Sequence, residues 1–536
     1  MRVNYLQLSN ILSFKYEEDI NSAFKIEFDP DLNIIIGENG SGKSTVLEAM
    51  NFIFTRALFK RITNRYSSHR SYYTDRKNML QIDDNYSNRK LGLRLQPNWS
   101  SEEEQQRVRV SIKLDSIDRA NIAHIVANYS HIKNTLDNYS IIPIPEFFAL
   151  DSDMDIEIDI TFKQAKYDED NTYESHYDDS VPGYIRFYLE HYHAINEAIT
   201  VYNEDNTDHV APLGNTFSML SAFRDYSNYN SQIHLYNGDD SSGDTLQNAK
   251  NRLIPHSINE HSSGMSAIFD FIKLKLGEDH FNLVKEGKNI NDATAIINGS
   301  SIIKKINEKL RILNLQLSVK PVNIRRWSYE FRFQDTKNNR ELGDINNLSA
   351  GQKSILHLIF EAYGQGELKG GLIIIDEPEI HLHYQFQSEY LKILEELADK
   401  QGIQCILVTH SEGFISNKTI EHVKRFSLDE ERNSVAYAPE ITEDQKGLIK
   451  ILNNTQAARV LFLNKVLLVE GQDDEYFFRD VVKRLQPEFS QNINIKRSIA
   501  LDNVQKIADA LEIEPYLLFI EKLEKKKRGM FKNERL

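Results

Sequence analysis

The octapeptide GENGSGKS at 37–44 follows the apolar run LNIII and leads into TVLEAMNF. Strand, glycine turn and helix start in series form the arrangement that binds a polyphosphate. Gly37, Gly40 and Gly42, with Asn39 and Ser41 among them, let backbone N–H groups turn inward at a helix N-terminus that already favours anions. Lys43 is placed to neutralise the β- and γ-phosphates of ATP, Ser44 to ligate Mg2+, and Thr45 to add a contact as the helix begins.

Three further stretches carry chemistry that a triphosphate needs. GLIIIDEPEIHLH, 371–383, brings Asp376 to the end of an apolar strand, where it can hold the Mg2+ shell. Glu377 follows at once, placed to orient the attacking water and take its proton. A lone acidic pair is usually a solvated loop; the apolar strand and the separate phosphate loop reverse that expectation. LSAGQKS, 348–354, opens a helix whose Ser349 and Gly351 could face a phosphate, although Ser-Ala-Gly is also an ordinary helix start. ILVTHS, 406–411, ends a strand on His410, which could hydrogen-bond the γ-phosphate or the water, or only cap the strand.

The elements that must position these residues are legible at two places. Residues 1–55 read as two strands, then the buried strand and helix around the glycine loop. Residues 342–425 read as a helix from about 349, the strand GLIIID, a helix from about 384 to 400, and the strand QCILVTH. Near-continuous apolar strands alternating with helices predict a parallel sheet covered on both faces. Between them RVRVSIKLD and DMDIEIDITF alternate with period two and predict half-exposed antiparallel strands. IIKKINEKLRILNLQL reads as helix, SYEFRFQD as strand, and TYESHYDDSVPG and YNGDDSSGDTLQNAKN as loops. No heptad pattern or internal repeat appears, which disfavours a long coiled-coil arm.

Length and composition set the outer limits. A chain of 536 residues, 40% hydrophobic and 27% charged, predicts a globular protein of two or three domains. No apolar run approaches the roughly 18 residues of a membrane span, and the N-terminus alternates like a strand rather than a signal peptide. Cys405 is the only cysteine, which suits a reducing cytoplasm. A net charge of −15 argues against nonspecific coating of nucleic acid, yet leaves a local basic groove open. FKRITNRYSSHRSYYTDRK, 59–77, interleaves Lys60, Arg61, Arg65, Arg70, Arg76 and Lys77 with tyrosines. It reads either as a solvated loop or as a track for a DNA or RNA backbone.

Together GENGSGKST, LSAGQ, LIIIDEPE with its IHLH tail, and THS resemble the ABC-type ATPase heads of the SMC, Rad50 and RecF class. The DEPEIHLH form looks most like OLD-family ATPases and related anti-phage ATPases, the PtuA-like proteins of Septu and retron systems and the AriA-like proteins of PARIS. The resemblance covers about 1–60 and 340–425, and the middle poorly. It implies a homodimer or higher oligomer in which two heads clasp ATP and Mg2+. Lys43, Ser44, Asp376, Glu377 and His410 would then act in cis, with Ser349 and Gly351 in trans. The usual form has proline after HLH, where this chain has Tyr384. The Q-loop residue is not placed; Gln105 and Gln106 are weak candidates.

KVLLVEGQDDEYFF, 465–478, resembles the first strand of the TOPRIM domain of OLD nucleases, with Glu470 in the place of the first acid and Asp473 and Asp474 beside it. DEYFFRDVVKRLQ reads as the following helix, and no later strand ends in D-x-D. Residues 498–519 look like two helices of a helix-turn-helix. One acidic strand supplies too few ligands for Mg2+, so the TOPRIM element is expected to be truncated and silent.

The expected architecture is therefore α/β: an ABC-type, P-loop NTPase head interrupted by a large mixed α/β insertion, with a small C-terminal α/β or α element resembling a truncated TOPRIM. Its parts would be 1–110 and 341–460 for the head, 111–340 for the insertion and 461–536 for the C-terminal region. The expected function is a cytoplasmic, non-membrane ATPase of a bacterial defence system. It would control a separately encoded HNH nuclease or TOPRIM effector, with DNA, RNA or msDNA binding left open. A self-contained OLD-type nuclease and a RecF- or Rad50-like repair ATPase are the alternatives, and a transporter's ATPase subunit is disfavoured by the insertion's size.

Overall fold

The computed structural model describes residues 1–60, 62–64, 80–82, 94–101, 105–138, 155–163, 172–206, 208–222, 232–234, 264–323, 328–363, 370–416, 418–438, 466–469 and 494–497. The chain divides into two compact units, one of Met1–Asp31 with Ser44–Leu407, the other of Leu32–Lys43 with Val408–Leu536.

In the first unit β1 (Arg2–Ser9) lies between β2 (Phe24–Glu27) and β6 (Gln106–Lys113), and β7 (Asp155–Lys163) and β8 (Thr172–Tyr177) continue an antiparallel sheet. The period-two reading of β6 and β7 holds: Val108, Val110 and Ile112 face inward beside Ile156, Ile158 and Ile160. On the other face Asp159 grips Arg109 through both carboxylate oxygens, one at 2.8 Å. β8 corrects the sequence reading, which made TYESHYDDSVPG a loop. Its polar residues alternate at the sheet edge, where an outward face needs no apolar side chain, and Tyr173 reaches back to donate to the Arg56 carbonyl at 2.9 Å.

The helices α2 (Ser116–Asn138) and α3 (Gly183–Asp205) pack together, joined by Tyr188 donating to the buried Asp118 carboxylate at 2.8 Å. A second antiparallel sheet runs β10 (Gln232–His234), β12 (Ser328–Asp335), β11 (Leu315–Asn323), with β13 (Arg340–Gly343) also on β12. Three helices serve it: α4 (Gly264–Lys285), α5 (Ile290–Asn298) and α6 (Ser301–Leu310). The helix read through Leu317 stops sooner. Asn314 takes a left-handed conformation (φ 54°), and the chain turns into β11, burying Leu315, Leu317 and Val319. β11 is an edge strand, and two side-chain amides occupy its open groups. Asn298 pairs with both backbone groups of Val319, and Asn307 with both of Leu317, at 2.6–3.1 Å.

Two short strands, β4 (Ile62–Asn64) and β5 (Leu80–Ile82), form an antiparallel pair of their own. Still in the first unit, β9 (Phe217–Leu220) lies parallel to β14 (Leu372–Asp376), with β15 (Gln404–Val408) on the other side of β14. β9 thus joins this sheet beside β14, which four residues of FSML did not announce. α7 (Ala350–Tyr363) and α8 (Tyr384–Gln401) lie where the spacing placed helices. Gln404, fully buried, clamps β1: its amide accepts from Val3 N at 2.7 Å and donates to Val3 O and Asp29 O at 2.8 Å.

In the second unit β3 (Leu32–Gly37) runs parallel to β16 (Val423–Leu428), and β17 (Ser434–Tyr437) returns antiparallel to β16. Further on, β18 (Val466–Val469) pairs in parallel with β19 (Asn494–Arg497). β18 is the strand read from KVLLVE. β19 is a strand the sequence reading did not find, and its residues NIKR bear cations rather than a D-x-D pair. Glu470, Asp473, Asp474 and 498–519 lie outside the described residues, as do most of 61–79 and the stretch 236–251. Among the described residues no helix is long and apolar enough to cross a membrane.

Candidate functional site

The glycine loop leaves β3 under tight constraint. Gly37 has φ +144°, and a Cβ there would lie 2.0 Å from the Phe426 carbonyl oxygen of β16, so only glycine fits. Gly40 (φ +81°) is constrained by conformation alone, with open space around it. The Ser41 side chain is buried and donates to the Glu38 carbonyl at 2.8 Å, while Asn39 is exposed at the loop tip. Lys43 is 5% exposed and folds back, Nζ donating to the carbonyls of Gly37 at 2.9 Å and Glu38 at 2.6 Å. α1 (Lys43–Phe52) begins there, with Ser44 exposed and Thr45 buried.

His410 follows β15 in the same unit as this loop. Thr409, buried, donates its N–H to Ile35 of β3 at 3.1 Å and accepts from Ser411 N at 3.0 Å, leaving the His410 side chain exposed.

The acidic pair sits in the other unit. β14 is buried along its length and ends on Asp376, 6% exposed. Glu377 is left-handed (φ 42°, ψ 61°), a conformation that costs a non-glycine residue about 1 kcal/mol and is characteristic of functional turns. Pro378 then starts a short 3-10 turn. His383 caps α8 through Nδ1, which accepts from Gln385 N at 3.5 Å, a long bond, and Tyr384 in the usual proline position is 68% exposed.

The signature serine is a helix cap. Ser349 Oγ accepts from Gln352 N at 3.3 Å, and Gln352 Oε1 accepts from Ser349 N at 2.9 Å, a reciprocal capping box. Ser349 is exposed and Gly351 half-buried, so the start of α7 is open. Gln106 is excluded as a nucleotide contact: it is fully buried in β6 and donates to the Leu95 carbonyl at 3.1 Å, while Gln105 is exposed. Lys60, at the start of the basic stretch, is held by Glu190 at 3.1 Å.

In the loop, a glycine cradle that no side chain could enter at Gly37 and a buried lysine beside it suit a polyphosphate; in the other unit, the exposed Ser44 hydroxyl and the strand-end Asp376 carboxylate are donor types that Mg2+ takes. Fold and motifs define an ABC-type P-loop ATPase head. The chain belongs to the AAA ATPase domain family (AAA_15), whose model matches residues 19–415. It is also similar to the OLD nuclease of Thermus scotoductus, 37% identical over 132 residues, which is 23% of this chain and 25% of that protein. The match thus spans about a quarter of that relative's length. Similar solved structures include an Smc head bound to the C-winged helix domain of ScpA, TM-score 0.38 and 14% identity over 82% of this chain and 98% of that one. The SMC head domain from Thermotoga maritima has a TM-score of 0.34 and 12% identity over 82% and 100%.

Proposed function

We propose that this ATPase is an ATP-driven switch: two copies close on MgATP, and hydrolysis lets them part. Lys43 neutralises the β- and γ-phosphates, and His410 hydrogen-bonds the γ-phosphate. Ser44 and Asp376 would hold Mg2+, which supplies charge neutralisation at the transferring phosphoryl group. Glu377 orients the water and takes its proton, while Ser349 and Gly351 of the second copy close the pocket. The observation that carries this reading is the loop 37–43, shaped by glycines where a side chain would strike backbone. Steady-state hydrolysis tests it: Lys43→Ala is expected to lose ATP binding and turnover together, and wild-type rates in that variant would refute it.

The output we propose is control of a separately encoded nuclease or toxin in a cytoplasmic anti-phage system. The likeness of DEPEIHLH to defence ATPases supports it, as does a second C-terminal strand bearing Lys496 and Arg497 in place of carboxylates. The similarity to an OLD nuclease and the parallel β18–β19 pair favour the second reading, a self-contained nuclease. Metal-dependent DNA cleavage by the purified chain, lost in Glu470→Ala, would establish the second; cleavage only with the neighbouring gene product would establish the first.

A further inference from the structure

A phosphate cradle can turn its N–H groups inward only if its carbonyls find donors elsewhere. In this loop the carbonyls of Gly37 and Glu38 receive the Lys43 ammonium, and Glu38 also receives the Ser41 hydroxyl. These donors belong to the loop itself. Two of the three Lys43 N–H bonds go to these carbonyls, so reaching both the β- and γ-phosphates requires it to release at least one of them.

The Ser41 carbonyl is held from outside. Ser434, the first residue of β17, donates its hydroxyl to it at 2.9 Å in a buried bond across 393 positions of sequence. Ser41 is fully buried and Ser434 is 6% exposed. The register of Ser434 is fixed with some care. Leu428 faces it across the hairpin, Asp429 N donates to Asn433 O at 2.9 Å, and the Asp429 carboxylate accepts from Asn433 N at 2.7 Å. Arg432 takes the left-handed position (φ 64°) that closes the turn. The same hairpin supplies Phe426, whose carbonyl lies against Gly37 and accepts from Glu38 N at 3.4 Å.

We propose that Ser434 is a positioning residue for the nucleotide loop: its hydroxyl anchors the Ser41 carbonyl outward, so that the cradle keeps its shape when Lys43 turns to the phosphates. The inference rests on the reading of 37–44 as an ATP site. Deleting the hydroxyl leaves a buried carbonyl without its donor, and the loop must then spend binding free energy to re-form.

The test is titration of the full chain with a fluorescent non-hydrolysable ATP analogue in Mg2+, alongside steady-state ATPase. Ser434→Ala is expected to weaken binding and raise KM about three- to tenfold with kcat within about twofold, the size of one buried hydrogen bond. Ser434→Thr, which keeps the hydroxyl, should restore both. If Ser434→Ala does not fold, Ser434→Cys, nearly isosteric with a weaker donor, should show the same loss. Wild-type binding in Ser434→Ala or Ser434→Cys, with Lys43→Ala binding lost, overturns this inference and leaves the ATP site standing. Failure of the wild-type chain to bind overturns the ATP reading itself.

Discussion

The glycine loop at 37–43 and the start of α7 are the two places proposed above to face a phosphate, yet they are held in opposite ways. The loop is gripped by its surroundings. Gly37 abuts the Phe426 carbonyl, Ser41 is held by Ser434, and Lys43 is folded onto two carbonyls. The start of α7 is held by its own capping exchange between Ser349 and Gln352, and lies exposed. A cradle built in advance binds its ligand alone. An exposed helix end whose serine oxygen accepts from its own helix still has an O–H to donate, so the cap and a phosphate from elsewhere are compatible. That difference is what a composite site requires: one half shaped beforehand, the other presented.

Gly37→Ala attacks the prebuilt half and should have the largest effect. The new Cβ would meet backbone, so nucleotide binding should fall at least about a hundredfold, which the same analogue titration reads. Glu377→Gln leaves both halves in place but removes the proton acceptor. Turnover should drop roughly a hundredfold or more while binding persists, measured by ATPase rate against analogue affinity. Ser349→Ala removes the presented donor along with the cap. ATPase should fall about tenfold with analogue affinity of the isolated chain unchanged, and a parallel loss of both would mean that Ser349 serves its own copy's loop.

The smallest effect serves as a control on the others. Burial pushes the Cys405 thiol, on the strand that leads to His410, up to about 12. It should stay silent to a disulfide reagent at pH 8 in each variant and react once in denaturant. Because the folded pKa lies above the unfolded value of about 8.5, this group's contribution to stability is present below pH 8.5 and is lost as pH rises toward 12. A melt that is flat across that window would contradict the burial.

How much of this could be read from sequence depends on how local the pattern is. GENGSGKS and LIIIDE announce themselves because a strand end, a turn and a helix start are contiguous, and β6 and β7 because alternation needs no partner to be seen. Ser434 was invisible: an ordinary serine acquires a role only when a hairpin delivers it to a loop 393 positions away. β9 was missed because four residues cannot show a period, and β8 because an edge strand is polar enough to look like a loop. The left-handed Glu377 was equally hidden, since DEP looks the same whatever φ its glutamate adopts.

Sedimentation of the Glu377→Gln protein with and without MgATP bears most directly on the proposal that nucleotide joins a prebuilt half to a presented one. The account predicts a shift from the 62.2 kDa protomer to twice that mass on adding MgATP, abolished by Ser349→Ala. ATP bound at full occupancy by a species that stays at the protomer mass would contradict it.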